Sequence, residues 1–117
     1  MGASILIVDD HPGFRAQARR LLESEGYLVI GEAGDCTTGL EAARALQPQL
    51  ALVDVYLPDG DGFDLTSRIA LLTDPPTVIL ISSRDGAEFE RCASESGARG
   101  FVPKAELSRE AIEGVLQ

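Results

Sequence analysis

Ile5-Leu6-Ile7-Val8-Asp9-Asp10-His11-Pro12 passes from an aliphatic run to an acidic pair and then to a proline. Four consecutive aliphatic side chains put apolar groups on both faces of a strand, which a sheet tolerates when helices cover both faces. Pro12 suits the first turn of a helix, where its fixed φ is already helical and its missing N–H would have had no partner. The same succession recurs along the chain. Leu28-Val29-Ile30, Leu50-Ala51-Leu52-Val53, Val78-Ile79-Leu80-Ile81 and Phe101-Val102 are further aliphatic runs, separated by longer segments of helical period. Helices are expected over 12–25, 38–46, 63–72, 87–96 and 106–116, with Phe14, Ala18, Leu21 and Leu22 on the inner face of the first. Gly26, Pro48, Pro75-Pro76 and Gly97 punctuate the ends of the first four. This alternation is the signature of repeated βαβ units, so the expected fold is α/β: a doubly wound, five-stranded parallel sheet with helices on both faces.

With 117 residues, 44% hydrophobic and 25% charged, the chain suits one compact domain spanning 1–117. Ten Lys and Arg face nineteen Asp and Glu, a formal net charge of −9, so the basic footprint of a nucleic-acid binder is missing. No apolar run approaches the roughly 20 residues of a membrane helix, and the first residues do not have the form of a signal peptide. The chain reads as soluble and intracellular, either a stand-alone domain or one cut from a longer protein. Cys36 and Cys92 are too few for a disulfide scaffold and too far apart for a metal knuckle; buried free thiols are expected.

Ligands of open parallel sheets bind beyond the carboxyl ends of the strands. Asp9 and Asp10 follow the first run, Asp54 the third, Ser82 and Ser83 the fourth and Lys104 the fifth, so the unusual polar residues all fall at one edge. If strands one and three are neighbours, about 4.8 Å apart, as in the doubly wound order 2-1-3-4-5, three carboxylates crowd together. Like charges that close take up protons unless a cation compensates them, and oxygen ligands with no His or Cys point to Mg²⁺ or Mn²⁺. A carboxylate beside such an ion is a reasonable nucleophile toward a phosphoryl group, with Asp54 placed to accept it. Lys104 would add a positive charge opposite Asp54, and the Ser82 hydroxyl a hydrogen bond.

Each residue also has an ordinary structural explanation. Asp9 and Asp10 suit a helix cap, Asp54 the opening of the loop Asp59-Gly60-Asp61-Gly62, Ser82 a bond to nearby backbone, and Lys104 a solvated charge. Their joint arrival at one sheet edge favours a site over four separate accidents. Asp59, Asp61 and Asp64 suggest a calcium loop, but Phe63 stands where a ligand is needed and the distal Glu is missing. His11 beside the acidic pair has the chemistry of a base or ligand, but a lone His in a helix-start loop reads first as an exposed residue.

Taken together, Ile5-Leu6-Ile7-Val8-Asp9-Asp10-His11-Pro12, Leu52-Val53-Asp54-Val55-Tyr56-Leu57-Pro58 with Asp61-Gly62, Ser82, and Gly97-Ala98-Arg99-Gly100-Phe101-Val102-Pro103-Lys104 resemble the receiver domain of two-component response regulators. Asp-Asp-His-Pro and Gly-Ala-Arg-Gly-Phe most resemble the NarL/FixJ type, which usually precedes a helix-turn-helix DNA-binding domain. The resemblance implies the flavodoxin-like strand order 2-1-3-4-5, a cytoplasmic phosphorelay protein, and a sensor histidine kinase as phosphate source. It implies that Asp54 is the phospho-acceptor, that Asp9, Asp10, Asp54 and the Tyr56 carbonyl hold Mg²⁺, and that Lys104 pairs with the phosphoryl group. Ser82 would be the switch hydroxyl and Phe101 the aromatic switch residue. Phosphorylation would then reshape the surface of helix 87–96, the strand at Phe101-Val102 and helix 106–116, acting on an output domain or a protein partner, with homodimerisation on phosphorylation among the outcomes.

This sequence also departs from the usual pattern: Tyr56 is bulky two residues past Asp54, Ser83 stands where Ala is common, Phe101 lacks a hydroxyl, and Gly60 loosens its loop. Three other functions compete with a phospho-receiver. A constitutive adaptor of the same fold predicts loss of an acidic residue or the lysine, and none is lost. A phosphatase working through an aspartyl phosphate wants an Asp-x-Asp pair, whereas Asp9-Asp10 is a doublet. A flavodoxin-like electron carrier needs a phosphate loop after the first strand, where this chain places repelling carboxylates. The domain is therefore expected to be a signalling domain and not an enzyme, apart from self-catalysed transfer and loss of its own phosphoryl group.

Overall fold

A computed structural model describes residues 2–83 and 95–117. Strands β1 (Ser4–Val8), β2 (Leu28–Ala33), β3 (Leu50–Asp54), β6 (Thr77–Ser82) and β7 (Gly100–Pro103) form one sheet in the order β2-β1-β3-β6-β7. Every pairing in it is parallel. This is the expected 2-1-3-4-5 order, once a short antiparallel hairpin of β4 (Tyr56–Leu57) and β5 (Gly60–Asp61) is set aside.

Two-residue periodicity splits the aliphatic runs between two cores. Leu6, Val8, Val53 and Leu80 face Leu65 and Ile69 of helix α3 (Gly62–Ile69), with Ala43 of α2 (Cys36–Leu46) in the same cluster. Ile5, Ile7, Leu52, Ile79 and Ile81 face Ala18 and Leu22 of α1 (Pro12–Ser24) and Ile112 of α4 (Arg109–Leu116). Burying each such Leu or Ile contributes roughly 1.5–3 kcal/mol, which makes this layer the main source of stability. Among the described residues no helix is long and apolar enough to cross a membrane.

Helix starts follow local capping chemistry. Asp35, Asp61 and Ser108 accept hydrogen bonds from the backbone N–H of Thr38, Asp64 and Ala111 at 2.8, 2.8 and 3.0 Å. Pro12 opens α1 as expected, and Gly26 ends it with a φ of +97°, in the left-handed region that only glycine adopts without strain.

Where boundaries differ from expectation, the reasons are local. The segment expected to be helical over 63–72 is helical only to Ile69, because its last turn tightens into bonds from Leu71 N–H to Arg68 and from Leu72 N–H to Ile69. The segment 106–116 splits into a 3₁₀ turn at Lys104–Glu106 and helix α4, with Leu107 extended so that its side chain reaches the core and Ser108 restarts the helix. Strand β2 runs on through Gly31, Glu32 and Ala33; it is an edge strand with a register shift, so its half-polar pattern hid its length. The helix expected over 87–96 and Cys92 lie in or largely in the segment outside the described residues. Cys36 is a free thiol but only half-buried, with Sγ 3.7 Å from the Asp61 carbonyl oxygen.

Candidate functional site

The strand registers bring the unusual polar residues to one edge. Val8 pairs with Val53, Asp54 with Ile81 and Ser82 with Pro103, so Asp9, Asp54, Ser82 and Lys104 all emerge at the carboxyl ends of adjacent strands. Asp9, Asp54 and Ser82 are buried, at 0%, 3% and 1% exposure.

Asp9 follows β1 directly and its backbone N–H still donates to the Ala33 carbonyl. Its Oδ1 accepts from the His11 backbone N–H at 2.8 Å, which sets the carboxylate plane. Its buried Oδ2 lies 2.5 Å from Lys104 Nζ yet receives no hydrogen bond of acceptable geometry. Charge therefore compensates that oxygen, but its lone pairs stay unsatisfied.

Asp54 is held by its backbone neighbours. Val55 N–H donates to Ile81 O at 3.0 Å, and Gly62 N–H to Val55 O at 2.7 Å. A Cβ on Gly62 would stand 2.4 Å from the Asp54 carbonyl oxygen, so helix α3 can start this close to the strand only with glycine there. The Asp54 side chain accepts from Tyr56 N–H at 3.4 Å, and its Oδ2 lies 3.3 Å from Lys104 Nζ. Burial raises the Asp54 pKa above the ordinary carboxylate value and the charge of Asp9 adds to this, while Lys104 and the Tyr56 N–H pull the other way.

Lys104 begins the 3₁₀ turn after Pro103, and its ammonium sits 4.4 Å from the centre of the Phe14 ring. Asp9, Asp10, His11 and Asp54 each offer a ligand atom, all within 4.8 Å of one another. Three carboxylates and one ammonium leave an excess of negative charge, and a buried carboxylate oxygen lacks a hydrogen bond. This acidic pocket is compatible with a divalent cation.

Other sequence candidates are placed differently. Tyr56 is 47% exposed on the hairpin. Phe101 pairs with Leu80 and is partly buried against the α2/α3 core. The acidic residues that suggested a calcium loop have separate work. Asp59 accepts from Cys36 N–H, Thr37 N–H and the Thr37 hydroxyl, Asp61 caps α3, and Asp64 pairs with Arg68. The backbone N–H of Cys36 heads the donors that hold Asp59 down to a pKa of about 2.

Phe14 and Arg15 were not legible as contributors in the sequence, and His11 was read there first as an exposed residue. His11 is exposed, as expected, but its Nδ1 lies 3.1 Å from both Asp9 Oδ1 and Asp10 Oδ1, so it belongs to the cluster. Phe14, read only as core, also faces Lys104. Arg15 donates to the Asp9 carbonyl at 2.5 Å and to Glu32 at 3.1 Å, bracing the loop. The proximity of His11 and Arg15 to the acidic pair was the available signal.

A doubly wound parallel sheet with a buried acidic pocket and a lysine at its carboxyl edge is the architecture of phosphorelay receivers. Residues 5–116 match the response regulator receiver domain family, and the chain belongs to it. It is 39% identical over 108 residues to the transcription regulator BvgA of Bordetella pertussis, covering 92% of this chain and 52% of that protein. Among solved structures it resembles a LuxR-family two-component response regulator from Aurantimonas (TM-score 0.89, 34% identity, 99% of this chain and 86% of that one). The receiver domain of the response regulator NarL from Mycobacterium tuberculosis is also similar (TM-score 0.85, 31% identity, 98% and 97%). The chain is a response regulator receiver domain of the NarL type, and it spans about half the length of the curated relatives it matches.

Proposed function

We propose that Asp54 accepts a phosphoryl group from a sensor histidine kinase and that this chain switches an output through the resulting change of surface. The observation that carries the reading is the buried Asp54 carboxylate, 3.3 Å from Lys104, in one pocket with Asp9 and Asp10. A carboxylate oxygen of Asp54 bonds to phosphorus while the bond from phosphorus to the kinase histidine nitrogen breaks, and that nitrogen keeps the electron pair.

Asp9, Asp10, Asp54 and the Tyr56 carbonyl would hold Mg²⁺, which when bound neutralises charge and orients phosphoryl oxygens. Lys104 would pair with the new phosphoryl charge of about −1.5 to −2, and the Ser82 hydroxyl would donate to a phosphoryl oxygen. Inward movement of Ser82 frees room for Phe101, and the strand carrying Phe101 passes the change to the neighbouring surface. A bias of a few kcal/mol between two existing states is enough for such a switch.

The output is transcription through a helix-turn-helix domain of the full regulator, supported by the transcription regulators among the relatives. The phosphorylated domain forms homodimers, and the protein works in the cytoplasm. An adaptor that binds partners without phosphorylation gains no support from a pocket in which all the acidic residues and the lysine are gathered.

Intact mass after incubation with Mg²⁺ and a small phosphodonor tests the reading. The expected result is one phosphoryl group on the wild type and none on Asp54→Asn. Equal labelling of the two would remove Asp54 from the acceptor role. No labelling together with no Mg²⁺ binding would favour the adaptor.

A further inference from the structure

Lys104 reaches the acidic pocket on a flexible four-carbon stem, yet its side chain is only 13% exposed. Its ammonium has three neighbours. Asp9 Oδ2 stands 2.5 Å away and Asp54 Oδ2 3.3 Å away, and the third is the ring of Phe14, whose centre lies 4.4 Å from Nζ. Phe14 sits in the first turn of α1, two residues after Pro12, and packs against the apolar layer that the sheet shares with α1 and α4. The core thus fixes the ring while the ring meets the charge. An aliphatic side chain there would strip water from the ammonium and return nothing, whereas the negative face of an aromatic ring attracts the charge it desolvates. A lysine without such a contact would spread over many rotamers, and that freedom would be lost each time the ammonium was needed at one place.

We infer that Phe14 is a positioning residue for phosphoryl acceptance: its π face holds the Lys104 ammonium between Asp9 and Asp54, so that the charge is in place when a phosphoryl group reaches Asp54. Ordering the lysine in advance removes a reorganisation from the transfer, which is how a preformed electrostatic site gains over a flexible one. Phe14 acts only through Lys104, and the role rests on the proposed reading of Asp54 as acceptor and Lys104 as its partner.

The test replaces Phe14 by phenylalanines carrying one, two and three ring fluorines, which keep the shape of the ring while draining its face of negative charge. Phe14→Leu keeps the bulk without a π face. Each protein is incubated with Mg²⁺ and acetyl phosphate, and the rate of mass gain is followed as the Asp54 oxygen bonds to phosphorus and acetate leaves with its electron pair. The same series is made on Lys104→Met, which keeps the stem and loses the charge, with circular dichroism as the check of fold. The expected result is an upfield ring-current shift of the Lys104 ε-methylene protons in the wild type that is absent from Phe14→Leu. The labelling rate is expected to fall with each fluorine, to roughly 3–10-fold below wild type at three. On Lys104→Met the series is expected to be flat, which packing alone would not produce. A labelled wild type whose rate ignores the fluorines overturns the inference and leaves Asp54 as the acceptor. An equal fall on Lys104→Met overturns it as well, since the ring would then act by packing, and so does an unshifted Lys104. Where Lys104→Met is unfolded or unlabelled, the ring shift and the fluorine series on the wild type decide. Failure of the wild type to gain a phosphoryl group overturns both the inference and the reading beneath it.

Discussion

The ammonium of Lys104 lies 2.5 Å from Asp9 Oδ2, nearer than the 3.3 Å that separates it from Asp54 Oδ2. In this state the lysine serves as the counter-ion of a carboxylate ninety-five positions away in sequence. If Asp54 accepts a phosphoryl group, as proposed, Lys104 would exchange one partner for another across a short distance, starting from a position over the face of Phe14.

Removing that counter-ion leaves buried carboxylates uncompensated. Lys104→Ala is expected to lower stability by roughly 3–5 kcal/mol without divalent cations, read from urea unfolding at constant m. Added Mg²⁺ is expected to restore part of the loss. An unchanged urea midpoint would mean that the ion pair contributes nothing net.

The raised pKa of Asp54 sets a pH dependence of definite sign. Between the unfolded value near 4 and the higher folded value, the native state binds the extra proton, so stability falls as pH rises through this window. The cost is fully present above the folded pKa. Asp54→Asn is expected to unfold at a higher temperature than wild type at pH 7 without divalent cations, and the gap is expected to narrow toward pH 4. A gap independent of pH would assign the difference to packing.

Cation binding should register as stability. At a Mg²⁺ concentration a hundred times its Kd, the wild type is expected to gain about 2.7 kcal/mol by mass action. Asp10→Ala removes an exposed carboxylate of the proposed cation site without opening the core, and at the same Mg²⁺ concentration its gain is expected to be much smaller. Thermal scans of both proteins with and without Mg²⁺ decide the matter.

Gly62 can be tested against an internal control. Gly62→Ala drives a methyl group to 2.4 Å from the Asp54 carbonyl oxygen and is expected to cost roughly 1–3 kcal/mol and to slow phosphorylation. Gly13, also helical, has nothing within 4 Å of such a methyl, so Gly13→Ala is expected to stabilise by up to about 1 kcal/mol. Equal stability of the two variants would exclude the close approach.

Asp59 predicts an acid effect of opposite sign to that of Asp54. Its folded pKa, about 2, lies below the ordinary 3.8, so its contribution is complete above about pH 4 and is lost as pH falls through 2. Asp59→Asn is expected to be less stable than wild type at neutral pH and to converge with it near pH 2, as measured by urea unfolding at several pH values.

Strand count and the positions of the acidic residues after the strands were legible because they depend on short-range pattern, and the sheet order came with the family resemblance. Four apolar residues in a row demand cover on both faces, and Pro12, Gly26 and Pro48 end or begin helices by their own backbone limits. The gathering of Asp9, Asp54, Ser82 and Lys104 followed once that order was assumed. The β4/β5 hairpin was hidden because Tyr56 and Leu57 are too short a run to show a period.

The sequence by itself determined the α/β class, the number of strands and which residues follow each strand, since residue types and their local spacing carry that information. Only the tertiary structure decided that Lys104 pairs with Asp9, that Phe14 lies beside the ammonium and that His11 joins the acidic cluster. The two contacts of Lys104 join residues ninety or more positions apart, and whether they form depends on strand register and the start of α1. The placing of the His11 ring depends on how the chain turns after β1. Charge and size at each position say which groups can attract, while packing of the sheet against its helices sets the ångströms that decide which of them meet.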